Sequence, residues 1–375
     1  MVKVAYSKRC RRDPLLVSTS IEMFSYRRFQ TTIRVGWNYL PIEVKLGDAE
    51  YEARERNLQM VRCLVTGGCG FIGSHLVRAL LDAGHKVRVL DNLSTGKRDN
   101  LDDVIQRIDL IEGDVNDPIA VKEAISGVER VFHQAALASV VLSLERPLDT
   151  HHACVTGTLT LLHASVAAKV KRFIYAASSA AYGDQPTSSK RETDLPMPLS
   201  PYAVAKLAGE YYCQAYYHSF GLETVGLRYF NVFGPRQDPD SPYSAVIPLF
   251  VSRILSGQSP KIYGDGMQSR DFTFVGNVVH GNLLASERPN IGGRVINLAD
   301  GGQTTLLQLL DILSKLLKRN IQPEFLPARV GDVRESLADI TLARRLLGYE
   351  PQVRLEEGLR RTIEYYQGLV TGSVR

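Results

Sequence analysis

The stretch from 61 to 83 limits what this chain can fold into more than any other. Residues 61–65 are apolar enough for a buried parallel strand, and 71–83 carries apolar residues at 72, 76, 77, 80 and 81, the spacing of one helix face. Gly67, Gly70 and Gly73 stand at the join, with Phe71 and Ile72 between the last two. In a strand–turn–helix unit each glycine has its own task. Gly67 permits the tight turn, Gly70 lets the backbone approach a pyrophosphate, and Gly73 lets helix and strand pack closely. The helix start offers free N–H groups and a positive dipole end to phosphate oxygens. Ordinary turns also collect glycines, so the reading as a dinucleotide cradle depends on its surroundings.

A second strand pattern, 86–90, ends at Asp91, 18 residues after Gly73. A carboxylate there accepts both ribose hydroxyls of NAD and repels the extra phosphate of NADP. Alternatively it caps the loop 92–96. Further strand patterns fall at 107–112, 129–134, 171–177 and 223–230, with helix patterns at 117–126, 150–168 and 201–218 between them. This alternation predicts an α/β protein with a doubly wound parallel (Rossmann) sheet. After Asn231 the rhythm breaks. Proline and glycine punctuate 234–266, and helix patterns at 245–256, 305–317 and 355–367 are joined by short strands. The expected division is a nucleotide-binding domain of 61–232 plus about 270–290, and a smaller irregular α/β substrate domain of about 233–269 and 291–375.

Open sheets of this kind bind ligands beyond the carboxyl ends of their strands. That rule selects Thr66-Gly67, Asp91-Asn92, Asp114-Val115, Ala135-Ala136, Ser178-Ser179 and Asn231. Asp114 is placed to accept from an adenine amino group. Small Ala135 and Ala136 permit close approach of a cofactor, or simply of a neighbouring segment. Tyr202 and Lys206 add chemistry, because residues four apart are neighbours on a helix surface. A phenol with a pKa of about 10 is a poor base at neutral pH. A nearby ammonium, reinforced by the positive ring of NAD⁺, stabilises the phenolate. Lys206 also reaches toward the nicotinamide ribose, and Ser178 is placed to relay a proton between a substrate hydroxyl and Tyr202.

Charge and cysteine content exclude other classes. Residues 1–60 hold 11 Lys/Arg and 7 Asp/Glu, a net +4, which leaves 34 basic and 33 acidic residues, a net +1, for the remainder of the 375. A nearly neutral body offers no nucleic-acid face, and no apolar run reaches the ~18 residues of a membrane helix. Five scattered cysteines without a C-x-x-C pair point to reduced thiols and a cytoplasmic protein. No metal-ligand spacing occurs. Residues 1–60 fit neither a transit peptide nor a signal sequence and are read as a poorly ordered extension.

The stretches 66–73, 91–96, 175–183 and 200–206 follow one another in order, as do Leu227-Arg228-Tyr229-Phe230-Asn231-Val232-Phe233-Gly234-Pro235-Arg236 and the run 262–272. Through them the chain from about 61 to 370 resembles the extended short-chain dehydrogenase/reductase superfamily. Within it the likeness is to the NAD-dependent nucleotide-sugar 4-epimerases, above all those acting on UDP-N-acetylglucosamine. The resemblance implies a redox cycle at C4 of a UDP-sugar with NAD bound throughout, Ser178, Tyr202 and Lys206 being catalytic. It also implies that Ser179, Asn231 and Val246 hold the sugar or diphosphate, and that Arg270, Arg329 and Asp332 grip diphosphate and uridine ribose. Ser336 falls at a gate that a tyrosine closes in relatives, so UDP-GlcNAc and UDP-GalNAc are the expected pair, ahead of UDP-glucose or UDP-glucuronate.

Two departures accompany the likeness. Ala180 replaces a frequent third serine, and Cys154 replaces an asparagine typical of the family. Dehydratases and decarboxylases of related fold carry an acid just after the residue matching Ser178, where this chain has Ser179-Ala180-Ala181. A homodimer is expected through 150–168 and 201–218, on the apolar excess of Leu159, Leu161, Leu162, Tyr211, Tyr212, Tyr216 and Tyr217. A catalytically silent NAD-binding protein is the reading from another class; the intact tyrosine–lysine pair speaks against it.

Overall fold

The computed structural model describes residues 60–187, 189–239, 245–328 and 334–371, together with the backbone of three earlier strands. It divides into two units, 1–60 and 61–375. In the first, β1 (Thr19–Ser25), β2 (Arg28–Val35) and β3 (Asn38–Val44) form an antiparallel sheet in that order. Sequence reasoning treats this stretch as a poorly ordered extension and assigns it no element. The overlooked signal is the β-branched and aromatic content of 29–33 and 39–44. Pro41 sits in β3, an edge strand, where a missing N–H is tolerated.

In the second unit seven strands form one parallel sheet. They are β4 (Arg62–Thr66), β5 (Lys86–Asp91), β6 (Ile108–Glu112), β7 (Arg130–His133), β8 (Arg172–Ser178), β9 (Thr224–Tyr229) and β14 (Arg294–Leu298). The order β14-β9-β8-β7-β4-β5-β6 means the chain winds outward from β4, then returns to β7 and winds the other way. The reversal between β4 and β7 opens the crevice where such sheets bind nucleotides. Alternation along the strands feeds two cores. Val65, Phe132, Ile174 and Leu227 face α1 (Phe71–Asp82) and a helix at 275–287. Leu64, Val131, Phe173 and Tyr175 face the opposite layer. That layer is α2 (Pro118–Ile125) and, after the short α3 (Val140–Glu145), the long helix of α4 (Pro147–His151), a π-turn at His152–Thr156 and α5 (Gly157–Ala167), joined by α6 (Pro201–Phe220).

A third core lies in the segment expected to form the smaller domain, apart from the two sheet-facing cores. It is built from α7 (Val246–Leu255), α9 (Leu306–Leu317) and α11 (Leu355–Thr371) around Phe233, Phe250, Ile262, Phe274, Leu309 and Ile363. Phe71 and Ile72, in the first turn of α1, pack against it. Short pairings complete this side: β10 (Val232–Phe233) with β13 (Thr273–Phe274), β11 (Lys261–Tyr263) with β16 (Glu324–Leu326), and β12 (Ser269–Arg270) between β15 (Thr304–Thr305) and β17 (Glu335–Ser336). The remaining helices are α8 (Val275–Glu287) and α10 (Thr341–Leu347).

Three expectations need correction. β14 is the seventh sheet strand, so 291 does not begin the substrate side; its five residues follow Gly292-Gly293 and were too short a pattern to stand out. The sequence reading places about 270–290 with the nucleotide-binding domain but assigns no helix there; buried Asn277, Gly281 and Asn282 interrupt the apolar spacing of α8. Leu161, Leu162 and Tyr216, counted toward a dimer face, are buried within the chain's own core.

Helix α6 meets β8 at a point without slack. Tyr175 donates from its hydroxyl to the carbonyl of Lys206 at 3.2 Å, and a Cβ added to Gly209 would lie 2.2 Å from that hydroxyl. Because Tyr175 is fully buried, it has nowhere to retreat. Gly209→Ala is expected to destabilise the fold by about 1–3 kcal/mol, the usual cost of overpacking. A shift of the urea midpoint checks it, and an unchanged midpoint refutes the contact.

Candidate active site

Gly67 turns the chain out of β4 with φ +67° and donates its N–H to Leu90 O at 2.9 Å. A Cβ at Gly67 would fall 2.7 Å from Ala135 N, and one at Gly73 would fall 2.1 Å from Gly67 O. Those two glycines are thus required by the protein itself. Gly70 differs: a Cβ there would meet only Gly67 O, at 3.2 Å, and otherwise open space. Gly70 is also the N-cap of α1, with no side-chain cap and no acid in the first turn. A helix start with uncapped N–H groups beside an open glycine fits a pyrophosphate.

Asp91 is buried at the end of β5. Oδ2 accepts Cys69 N–H and Oδ1 accepts Leu93 N–H, both at 2.9 Å. Burial raises its pKa, and the two N–H bonds oppose the rise. The capping role is therefore real. It leaves acceptor sites, since a carboxylate has about four lone-pair positions. Asn92 donates from its side chain to Asp114 Oδ2 at 2.7 Å, and Asp114 Oδ1 accepts from Asn116 N–H at 2.7 Å. Val115 uses its side chain in packing: a Cβ on Gly157 would come 2.5 Å from it. Ala135 stands at the closest approach to the glycine turn, and Ala136 packs against Cys154, Val155 and Ala205. Cradle, π-turn and α6 are thereby in contact.

Ser178, Tyr202 and Lys206 converge at the carboxyl end of β8. The Ser178 hydroxyl accepts Ala180 N–H at 3.2 Å, capping the 3₁₀ turn Ser179–Tyr182, and stands near enough to the Tyr202 phenol to favour its ionised form. Ser200 caps α6 by accepting Ala203 N–H, and Pro201 opens its first turn. Lys206 is buried and donates to Ala176 O at 2.8 Å, its nitrogen 6.0 Å from the Tyr202 ring centre. In the protein alone, burial lifts the Tyr202 pKa well above its ordinary value, and Ser178 only partly opposes this. The sequence expectation pairs the lysine with the positive ring of NAD⁺, and in the chain by itself Lys206 is not among the groups that move the Tyr202 pKa. A further positive charge beside the ring is needed.

Residues absent from the sequence reading complete this region. His133, at the end of β7, bonds Thr66 Oγ1 at 2.7 Å and Thr158 Oγ1 at 2.9 Å, tying the cradle strand to α5. One turn past Lys206, Glu210 holds Arg228 in a buried bidentate pair at 2.9 and 2.7 Å. Their signal was a polar residue inside a strand pattern, at 133 and at 228.

Asn231, Val246 and Arg270 line one cavity of about 450 Å³, together with Phe233, Arg253, Lys261, Tyr263 and Phe272. Ser179 and Ser336 are not in its wall, although Ser336 pairs with Arg270 across β12 and β17. Arg329 and Asp332 lie outside the described residues. Asn231 has φ +31°, a strained value for a residue with a side chain. Asp271 is fully buried and its pKa rises to about 7, chiefly through burial. Among the described residues no group of His, Cys, Asp or Glu has the arrangement of a metal site, and no helix is long and apolar enough to cross a membrane.

The model of the NAD dependent epimerase/dehydratase family matches residues 63–299. The chain belongs to that family, of extended short-chain dehydrogenase/reductase type. The UDP-glucose 4-epimerase of Mycolicibacterium smegmatis is 36% identical over 315 residues, 82% of this chain and 99% of that protein. A solved UDP-N-acetylglucosamine 4-epimerase from Methanobrevibacter ruminantium M1, in complex with UDP-N-acetylmuramic acid, is 41% identical with a TM-score of 0.79, covering 83% of this chain and 99% of its own. A UDP-glucuronic acid 4-epimerase from Bacillus cereus, in complex with UDP-glucuronic acid and NAD, is 33% identical with a TM-score of 0.77 and coverage of 82% and 99%.

His133 and His75 are held neutral by burial, their pKa values lowered to about 3 and about 4. The unfolded chain takes up protons at both as pH falls through about 6.5; the folded protein does so only far lower. Their stabilisation is complete above that pH and declines below it, by at most about 1.4 kcal/mol per pH unit for each. Asp271, with its raised pKa, acts in the opposite sense from about 4 to 7, so a variant must isolate the histidine. The urea midpoint of His133→Gln is expected to fall less between pH 7 and pH 5 than that of the wild type. An equal fall would show that His133 protonates in the folded state.

Proposed function

We propose that the protein is an NAD-dependent UDP-sugar 4-epimerase, an isomerase acting through Ser178, Tyr202 and Lys206. The observation that carries this is the convergence at the end of β8 of Ser178, a half-buried Tyr202 and a buried Lys206 whose nitrogen lies 6.0 Å from the Tyr202 ring centre. NAD bound along that turn supplies the acceptor, and afterwards the donor, of one hydride at C4 of the sugar. Tyr202 takes the C4 hydroxyl proton, directly or through Ser178, and returns it once the sugar has presented its other face. Lys206 contributes fixed positive charge; its own pKa is lowered by burial and supported by Cys154, Glu210 and Cys213. Asn231, Val246 and Arg270 hold the nucleotide side, the planar guanidinium matching diphosphate oxygens.

The preferred pair is UDP-GlcNAc and UDP-GalNAc. Ser336 supports it through the resemblance, which puts a bulky gate residue at that position where this chain has a small one, paired with Arg270 across β12 and β17. Absence of a carboxylate in the turn Ser179–Tyr182 argues against dehydration or decarboxylation, which need an additional acid or base there. The test is a panel of UDP-GlcNAc, UDP-glucose and UDP-glucuronate with the wild type and Tyr202→Phe. Interconversion of the N-acetyl pair is expected to be fastest, and Tyr202→Phe to lower kcat at least about a hundredfold while NAD content is kept. Faster turnover of either other sugar refutes the preference. Unaffected turnover in Tyr202→Phe refutes the mechanism.

The same reading includes a homodimer through α4 and α6. Leu148, Val204, Tyr211 and Tyr212 are 74, 52, 55 and 36% exposed on these two adjoining helices, an apolar surface that a second copy would cover. Light scattering is expected to give twice 41.6 kDa for the wild type and a monomer for Val204→Arg. A monomeric wild type disproves it.

A further inference from the structure

The residues that line the substrate cavity share a neighbour that does not line it. Asp271 follows Arg270 directly and is 0% exposed. Its carboxylate accepts three backbone N–H groups from two segments. Oδ1 takes Asp300 N–H at 3.1 Å, while Oδ2 takes Gly301 N–H at 3.1 Å and Ala338 N–H at 3.3 Å. Its own N–H donates to Ser336 O at 2.7 Å, and its carbonyl accepts from the Asn231 side chain at 3.3 Å. Arg270, Ser336 and the strained Asn231 thus meet at one buried acid, along with the loop that follows β14.

We propose that Asp271 is the positioning residue of the UDP-sugar pocket: it binds no substrate atom, but its carboxylate ties the loop after β14 to the segment after β17, and so holds the backbone at 270–271 through which Arg270, Asn231 and Ser336 are arranged. The proposal rests on the functional reading above. An ionised carboxylate can accept all three N–H groups; an amide cannot, because its NH₂ end would confront at least one of them donor to donor. A protonated acid loses acceptor capacity in the same way. Burial raises the pKa of Asp271 to about 7, and the charge of Asp300 adds to the rise, while N–H groups of Ala338, Asp300 and Gly301 oppose it. Among the described residues, the ionisable groups next to this point are Arg354, bound to Asp300, and Tyr349, whose hydroxyl donates to Ala299 O. The network therefore weakens as pH falls through neutrality, and loosens the pocket rather than the catalytic pair.

The test is steady-state kinetics of the holoenzyme on the best UDP-sugar from pH 6 to 8.5, a substrate whose phosphodiester oxygens stay ionised throughout. For the wild type, KM is expected to rise as pH falls below about 7 with little change in kcat. Asp271→Asn is expected to raise KM about tenfold at pH 8, the scale of losing a hydrogen bond to a charged group. Its kcat should stay within about twofold, its NAD content should equal that of the wild type, and its KM should no longer depend on pH. Asp300→Asn, which removes the neighbouring like charge, should move the wild-type KM profile toward lower pH. Should Asp271→Asn fail to fold, the wild-type and Asp300→Asn profiles decide alone: coincident profiles, or a KM flat with pH, overturn the proposal. A fall in kcat at constant KM in Asp271→Asn overturns it too. A wild type that turns over UDP-sugars without these KM effects refutes only this inference, whereas a wild type inert toward every UDP-sugar removes the functional reading along with it.

Discussion

The contact between the phenol of Tyr175 and the backbone of α6 at Gly209 is the constraint on which the active region depends. Helix α6 carries the tyrosine and the lysine, but its position along β8 is decided four to eight residues further on. There the absence of a side chain lets the helix descend until the Lys206 carbonyl meets the Tyr175 hydroxyl. With the helix seated, Lys206 reaches Ala176 O at the strand end and Tyr202 comes beside Ser178. The bidentate pair of Glu210 with Arg228 fixes the same turn to β9. Two buried contacts of different kinds, one steric and one ionic, therefore set where Tyr202 and Lys206 stand against β8.

The electrostatics of the pair follow from that seating. A phenol and an ammonium drawn out of water are each pushed toward neutrality, and for Tyr202 and Lys206 burial outweighs the neighbours that oppose it. The protein by itself holds a dormant acid. A cationic ring placed over the pocket is the natural complement, which links proton transfer to cofactor binding without any moving part.

Most of the Rossmann half was legible in the sequence because its two signals are strong there. Strands β4 to β9 begin and end within about a residue or two of their expected positions, since all but the edge strand β6 are largely buried in the sheet. Gly67 and Gly73 could be assigned correctly from spacing alone. What escaped has a physical pattern as well. Strand β14 and helix α8 carry buried asparagines, whose side chains bond within the protein: Asn297 to Tyr182 and Lys190, Asn282 to Tyr229 and Val278. A polar residue in a buried place reads as a surface residue until its partners are known. His133, Glu210, Arg228 and Asp271 escaped for the same reason, since each is polar, buried and satisfied only by residues distant in sequence. Cavity residues such as Lys261 and Tyr263 come from two- and three-residue strands that have no periodicity to detect.

The route of the chain through the second unit has a mechanical consequence. After β9 it leaves the sheet for β10 and α7, returns through α8 to β14, departs again for α9, and comes back in α10 to pack beside α8 before ending in α11. Sheet and substrate layers are laced together rather than joined by a linker. A wide clamshell opening of the two layers would have to bend all of these crossings at once.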